Sequence, residues 1–335
     1  MTDAQTLHRS LLTIDTHIDI PFPDGPSFFD ETKRYVDLPK MKQGHMAAGC
    51  FAAYVPQGGR TPEVYQAAVA RARGMLKVIN EMGATNQGAR VCLTADEIEQ
   101  AHRDGVTIVV PCVENGQALG GDVANLRPLY DLGARYLTLT HFGHNALGDS
   151  SNPRKELGDP EQEHGGLSAL GRAVVAELNR LGMLVDIAHT SKNTMMQAAQ
   201  LSRTPVLSTH SCIKALCDNA RNLDDEQLDM LAKVGGVVQV TAVPGFLKTG
   251  GKADQVTIAD YCDHVDYAVK RIGIEHVGIS SDFDGGGGFV GWKDASECGN
   301  VTAELVRRGY GAREIGLLWG GNFLRLLRLA EARKG

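Results

Sequence analysis

Eight short apolar runs, most of them rich in β-branched residues, recur along this chain and constrain its fold more than any other feature. They cover residues 11–19, 47–55, 107–114, 135–141, 183–189, 205–210, 236–242 and 276–282. Between nearly all of them lie stretches with the 3.6-residue period of a half-buried helix. The clearest are 61–82, opened by a Thr-Pro start signal, then 168–181, 191–201, 224–234 and 258–272, with a terminal helix over about 313–330. Strand and helix alternating in this way predict parallel βαβ units. Eight such units in 335 residues predict a distorted (β/α)8 barrel, one domain over 1–335. The competing architecture is a doubly wound sheet, whose Gly-rich phosphate turn follows the first strand. That position here holds Asp15, His17 and Asp19 instead. Two long segments, about 143–166 and 283–299, lack periodicity and are dense in Gly, Asp and Asn. Both follow candidate strands, which places them as loops on one end of the barrel, where loops of this length are commonly functional.

The chemistry of the chain collects where the runs stop. Side chains two apart share a face of a strand, so Asp15, His17 and Asp19 are expected to point together. Later runs end in Glu114, His141, His189, His210 and Asp282. In a barrel the carboxyl ends of the strands form the active-site face. Four imidazoles and three carboxylates therefore converge on one mouth. Taken singly, each has a plain structural reading: a rim histidine for His141, a helix cap for Glu114, a turn cap for Asp282. Recurrence at six strand ends is harder to read that way, because several unpaired charges in one cavity are costly and a cation satisfies them together. The donor set is nitrogen and oxygen only. Zn²⁺ matches it best, with Mn²⁺ and Co²⁺ behind, and seven groups suit two ions sharing a carboxylate better than one. The other histidines (His8, His45, His102, His144, His164, His264 and His276) read as surface or structural.

Composition narrows the partners. The formal net charge is −6 and no basic stripe appears, which excludes a nucleic-acid partner. No apolar run approaches the ~20 residues of a membrane span, and the polar first ten residues contain no secretory h-region. The seven cysteines form no C-x-x-C pair and read as reduced, buried thiols, so the cytoplasm is the expected compartment.

With these residues in hand, the chain resembles the membrane dipeptidase (renal dipeptidase) family of zinc peptidases, family M19, in its bacterial cytoplasmic form. The likeness runs from Asp15-Thr16-His17-Ile18-Asp19 to Gly321-Asn322-Phe323-Leu324-Arg325. It is specific at Arg135-Tyr136-Leu137-Thr138-Leu139-Thr140-His141, Glu177-Leu178-Asn179-Arg180-Leu181-Gly182, Ser208-Thr209-His210-Ser211 and Ser281-Asp282-Phe283-Asp284-Gly285. The resemblance implies two zinc ions, one held by His17 and Asp19, the other by His189 and His210, with Glu114 bridging. It implies that Asp282 moves the proton of the attacking hydroxide to the leaving amine and that His141 stabilises the oxyanion. It implies that Arg221, in Asn219-Ala220-Arg221-Asn222-Leu223, grips the substrate's terminal carboxylate. The substrates it implies are L-Xaa-L-Xaa dipeptides, extended to L-Xaa-D-Xaa by an open second pocket, and the assembly it implies is a homodimer. The chain departs from the pattern in having Asn115-Gly116-Gln117 after Glu114, where members often carry Gly and His, and in lacking the tyrosine common in mammalian members within 241–246. A hydrolase of another small amide, lactone or phosphoester would share barrel and metals, but a phosphate site needs a basic cluster that the loops lack. A non-catalytic scaffold would have lost a ligand or Asp282, and none is lost.

Overall fold

The computed structural model describes residues 3–20, 25–83 and 85–335. Among these described residues, nine strands form one sheet: β1 (Ile14–Asp19), β2 (Ala48–Tyr54), β3 (Ala89–Val91), β4 (Thr107–Glu114), β5 (Tyr136–Thr138), β6 (Leu184–Asp186), β7 (Leu207–Ser211), β8 (Val237–Val240) and β9 (Val277–Ile279). All pair in parallel, in the order β1-β2-β4-β5-β6-β7-β8-β9, which is the expected ring of eight. The ninth, β3, lies off this path against the first half of β4, with Val91 opposite Val109. Its three residues, Ala-Arg-Val, carry no periodicity to read. The ring is closed between its last and first members by two main-chain bonds, from the Asp282 amide to the His17 carbonyl (3.1 Å) and from the Asp19 amide to the Phe283 carbonyl (3.0 Å). The result is a nearly closed α/β barrel of the TIM type.

The strands are shorter than the runs that announced them. The run 183–189 is strand only over Leu184–Asp186, and 276–282 only over Val277–Ile279. The residues that follow each strand, 187–189 and 280–282, stay buried at the barrel mouth. Register slips in β1 between Asp15 and Ile18, and in β7 between Ser208 and Ser211, fall at the same end. Irregularities of this kind re-aim side chains beside active sites.

The outer helices follow their periodicity. Pro62–Met82 is capped by the Thr61 hydroxyl and buries Ala68, Ala72, Met75, Leu76, Ile79 and Met82. Ile258–Ile272 is closed at its start by a reciprocal Thr257–Asp260 cap. The terminal helix is not continuous. Ala312–Gly316 passes through a widened π-type turn, Leu317–Gly321, into Asn322–Ala332. Close packing on β1 accompanies this break, since a Cβ on Gly320 would lie 2.7 Å from the Leu12 carbonyl oxygen. Further helices, among them Ala95–Arg103, Leu126–Asp131 and Gly299–Arg307, add to the shell.

The two long loops are built rather than slack. In the first, the Asp149 carboxylate accepts the amides of Glu163, His164 and Gly166. In the second, Asp284 accepts the amides of Tyr35 and Val36. All seven cysteines are buried and unpaired. Of the histidines read as surface or structural, His8, His144 and His264 are buried and hydrogen-bonded. No helix among the described residues is long and apolar enough to cross a membrane.

Candidate metal centre

Glu114, the last residue of β4, is 2% exposed and forms the hub of the barrel mouth. Its Oε1 lies 3.1 Å from His189 Nε2, 3.5 Å from His210 Nε2 and 3.9 Å from His141 Nε2. Its Oε2 lies 3.6 Å from His17 Nε2. His17 Nε2 is in turn 3.7 Å from Asp19 Oδ1 and 4.0 Å from Asp282 Oδ1. His189 and His210 bring their Nε2 atoms to 2.8 Å of one another. Seven of the nine residues singled out in the sequence thus meet. Their ligand atoms form two tight groups that share Glu114: His17–Glu114–His210 and Glu114–His141–His189.

The structural alternatives do not hold here. Asn115, not Glu114, caps the turn Gly116–Leu119. The carbonyl of Asp282, not its carboxylate, accepts the amides of Gly285 and Gly287. Asp15 is a correction to the expected face of three. Its carboxylate accepts the amides of His17 (3.2 Å) and Ser281 (3.0 Å), so it ties β1 to the end of β9 rather than joining the cluster. Arg221 also stands back from the carboxylates. It is 3% exposed, donates from Nη2 to the His210 carbonyl at 3.1 Å, and leaves a buried Nε without a partner. With His189 it lines a cavity of about 450 Å³ whose other walls include Ser150, Lys192 and Lys214.

Backbone strain marks the same place. His189 (φ 64°), Asp282 (φ 60°) and Asn115 (φ 82°), the last beside Glu114, all have positive φ. Side-chain-bearing residues rarely do so, and such strain clusters at functional sites. A Cβ on Gly285 would lie 2.5 Å from Asp282 Oδ1 and 2.6 Å from Asp19 Oδ2, so glycine is what leaves room for the two carboxylates.

The electrostatics are those of crowded like charges awaiting a positive partner. Burial, then Glu114, pushes the Asp19 carboxyl well up. Burial likewise raises Asp282 to about 7, with Glu114 adding to it and His17 opposing. Burial acts to lower His17, but Glu114, Asp19 and Asp282 outweigh it and lift the imidazole to about 10. Glu114 is driven well down, because His17 and His141 outweigh its own burial. Burial holds His189 and His210 well below the ordinary imidazole range, and His141 at about 4. Neutral imidazoles and ionised carboxylates are the forms that bind metal. His17 Nε2 and Asp19 Oδ1 are buried with no hydrogen-bond partner, an arrangement that is costly unless a further group satisfies them. The donors fit a divalent cation of the zinc kind.

Several residues that shape the site were given no role from the sequence: Tyr136, Asp186 and Thr209, which lie behind His17 and His210, and Gly285. Tyr136 sits in an apolar run, and its contact with His17 spans 119 positions.

The family model for membrane dipeptidase, peptidase family M19, matches residues 1–334. The chain belongs to this family. It is accordingly placed among metallopeptidases of the dipeptidase class. It is 34% identical over 306 residues to the dipeptidase aclJ of Aspergillus oryzae, covering 89% of this chain and 70% of that one. Among solved structures it is similar to the probable dipeptidase PvdM from Pseudomonas aeruginosa, 29% identical with a TM-score of 0.91 over 98% of each chain. It is also similar to a metallo peptidase from Rhodobacter sphaeroides, liganded with a phosphinate mimic of L-Ala-D-Ala. That pair is 27% identical, with a TM-score of 0.81 over 96% of this chain and 99% of the other.

Proposed function

We propose that this member of the family is a binuclear zinc dipeptidase acting on L-Xaa-L-Xaa and L-Xaa-D-Xaa dipeptides. The observation that carries this reading is the convergence of His17, His141, His189 and His210 on the two oxygens of one buried carboxylate, Glu114. His17 and Asp19 would hold one ion, His189 and His210 the other, with Glu114 shared. When bound, the two cations supply the field that ionises a water near neutral pH and polarises a carbonyl.

The chain's own groups do the rest. Asp282, raised to about 7, is poised to take a proton from the attacking water and return it to the leaving amine. His141, held neutral, offers an N–H where charge develops on the carbonyl oxygen. Arg221, lowered by burial only to about 10, stays charged, lines the cavity and has an Nε without a partner, so it can grip the substrate's carboxylate. Such a grip favours dipeptides over longer peptides. The phosphinate mimic of L-Ala-D-Ala on the Rhodobacter sphaeroides relative supports a D residue at the second position.

The whole chain is proposed to work as one barrel, in the cytoplasm, as a homodimer. The seven unpaired buried thiols support a reducing compartment, and the dimer rests on the family. The test is a panel of L,L and L,D dipeptides with and without chelator. Zinc-restorable, chelator-sensitive hydrolysis is the expected result. A panel with no chelator-sensitive member would sink the reading.

A further inference from the structure

Two of the four imidazoles around Glu114 are locked from behind by hydroxyls whose own proton is already committed. The Tyr136 hydroxyl is 3.0 Å from the Thr16 carbonyl, which can only accept, so its single proton points there. It also lies 2.9 Å from His17 Nδ1. That contact can be a hydrogen bond only if Nδ1 carries the proton and the phenol oxygen accepts it. In the neutral ring, the form that binds a cation, the lone pair of His17 then sits on Nε2, the buried atom that faces Glu114 and Asp19 without a partner.

His210 repeats the device with different residues. The Thr209 hydroxyl lies 2.7 Å from Asp186 Oδ2, and Asp186 also accepts Thr138 Oγ1, the Ala188 amide and the Thr209 amide. Burial raises the Asp186 carboxyl, but three donors besides the Thr209 hydroxyl, from Thr138 and the Ala188 and Thr209 amides, favour its acceptor-only form, to which Thr209 donates. At 2.8 Å from His210 Nδ1 the threonine oxygen can therefore only accept. Nδ1 is again the protonated nitrogen, and Nε2 again turns to Glu114. His189 differs: its Nδ1 is buried without a partner, and its ring is aimed by a left-handed backbone instead.

We propose that Tyr136 and the Thr209–Asp186 pair are positioning residues that hold His17 and His210 as Nδ1–H tautomers, each presetting one half of the site for a cation. This rests on the metal reading above and goes beyond it by dividing the support between two independent hydroxyls. Groups behind metal-bound imidazoles typically contribute about 10- to 100-fold in metal affinity.

The test is zinc binding to the full-length protein, measured by competition with a chromophoric chelator, for the parent, Tyr136→Phe, Thr209→Val, Thr209→Ser and Tyr261→Phe. Tyr261 is a buried tyrosine bonded to the Val240 carbonyl, so its variant controls for loss of a buried hydroxyl as such. Tyr136→Phe is expected to weaken one of two binding steps by about 10- to 100-fold and spare the other. Thr209→Val should weaken the complementary step, Thr209→Ser should restore it, and Tyr261→Phe should match the parent. Melting temperatures read alongside identify any variant that fails to fold, in which case the surviving hydroxyl pair decides. Parent-like affinities in both Tyr136→Phe and Thr209→Val, or equal losses in Tyr261→Phe, overturn the proposal while leaving the metal reading intact. A parent that binds no zinc overturns both.

Discussion

The main-chain amide of Asp282 donates to the carbonyl of His17 at 3.1 Å, and the same two residues bring Oδ1 and Nε2 to 4.0 Å. One bond thus joins the end of the barrel to its beginning and sets a carboxyl beside an imidazole. Neither residue is placed by its own strand alone. Asp282 lies past the end of β9 in a left-handed turn, where its amide reaches β1 because the ring has closed. The acid proposed to move the proton is therefore held by the fold's seam.

Asp282→Asn should retain both cations and lose turnover. The amide keeps the size and the main-chain bonds but cannot shuttle a proton, so kcat should fall by about 10²- to 10⁴-fold. Zinc content and kcat measured on one preparation decide this. Parent-like turnover in a variant carrying two ions would contradict the proton-transfer role.

Metal uptake should release protons and tighten with pH. In the metal-free protein His17 is raised to about 10 and burial and Glu114 raise Asp19 above its usual range, both shifts favouring the protonated form. A cation must displace those protons. The sign is therefore higher affinity as pH rises from about 6 to about 9. Titration calorimetry in buffers of different ionisation heat reads the released protons directly. An affinity flat across that interval is the contrary result.

Gly285→Ala should impair the site more than the fold. Its Cβ would meet Asp282 Oδ1 at 2.5 Å and Asp19 Oδ2 at 2.6 Å, so the carboxylates must shift. Displacements on the order of 1 Å at reacting groups cost about 100-fold in rate. Kinetics together with the melting temperature separate the two effects. Parent-like kcat and zinc content would show that the two carboxylates have slack.

Arg221→Met should raise KM for dipeptides and leave the corresponding dipeptide amides unchanged. A charge-assisted grip on a carboxylate contributes roughly 1.5–3 kcal/mol, or about 10- to 150-fold. Equal effects on free and amidated substrates would assign Arg221 a structural role through its bond to the His210 carbonyl.

The alternation of apolar runs with amphipathic helical stretches determined the barrel, because both periods are local properties of neighbouring residues. The residue types at the run ends determined the site's inventory: His17, Asp19, Glu114, His141, His189, His210 and Asp282 were all legible, since a barrel collects its strand ends on one face. What tertiary structure decided is how those groups are aimed. The extended pattern implied that Asp15 would share the task of His17 and Asp19, yet a register slip turns it to the amides of His17 and Ser281. Period-two alternation describes a regular strand, and here the candidate ligands His17 and His210 sit within the register slips of β1 and β7. The left-handed backbones of His189 and Asp282, the break at Gly320 and the hydroxyls behind His17 and His210 depend on neighbours far away in the chain, brought together only by ring closure.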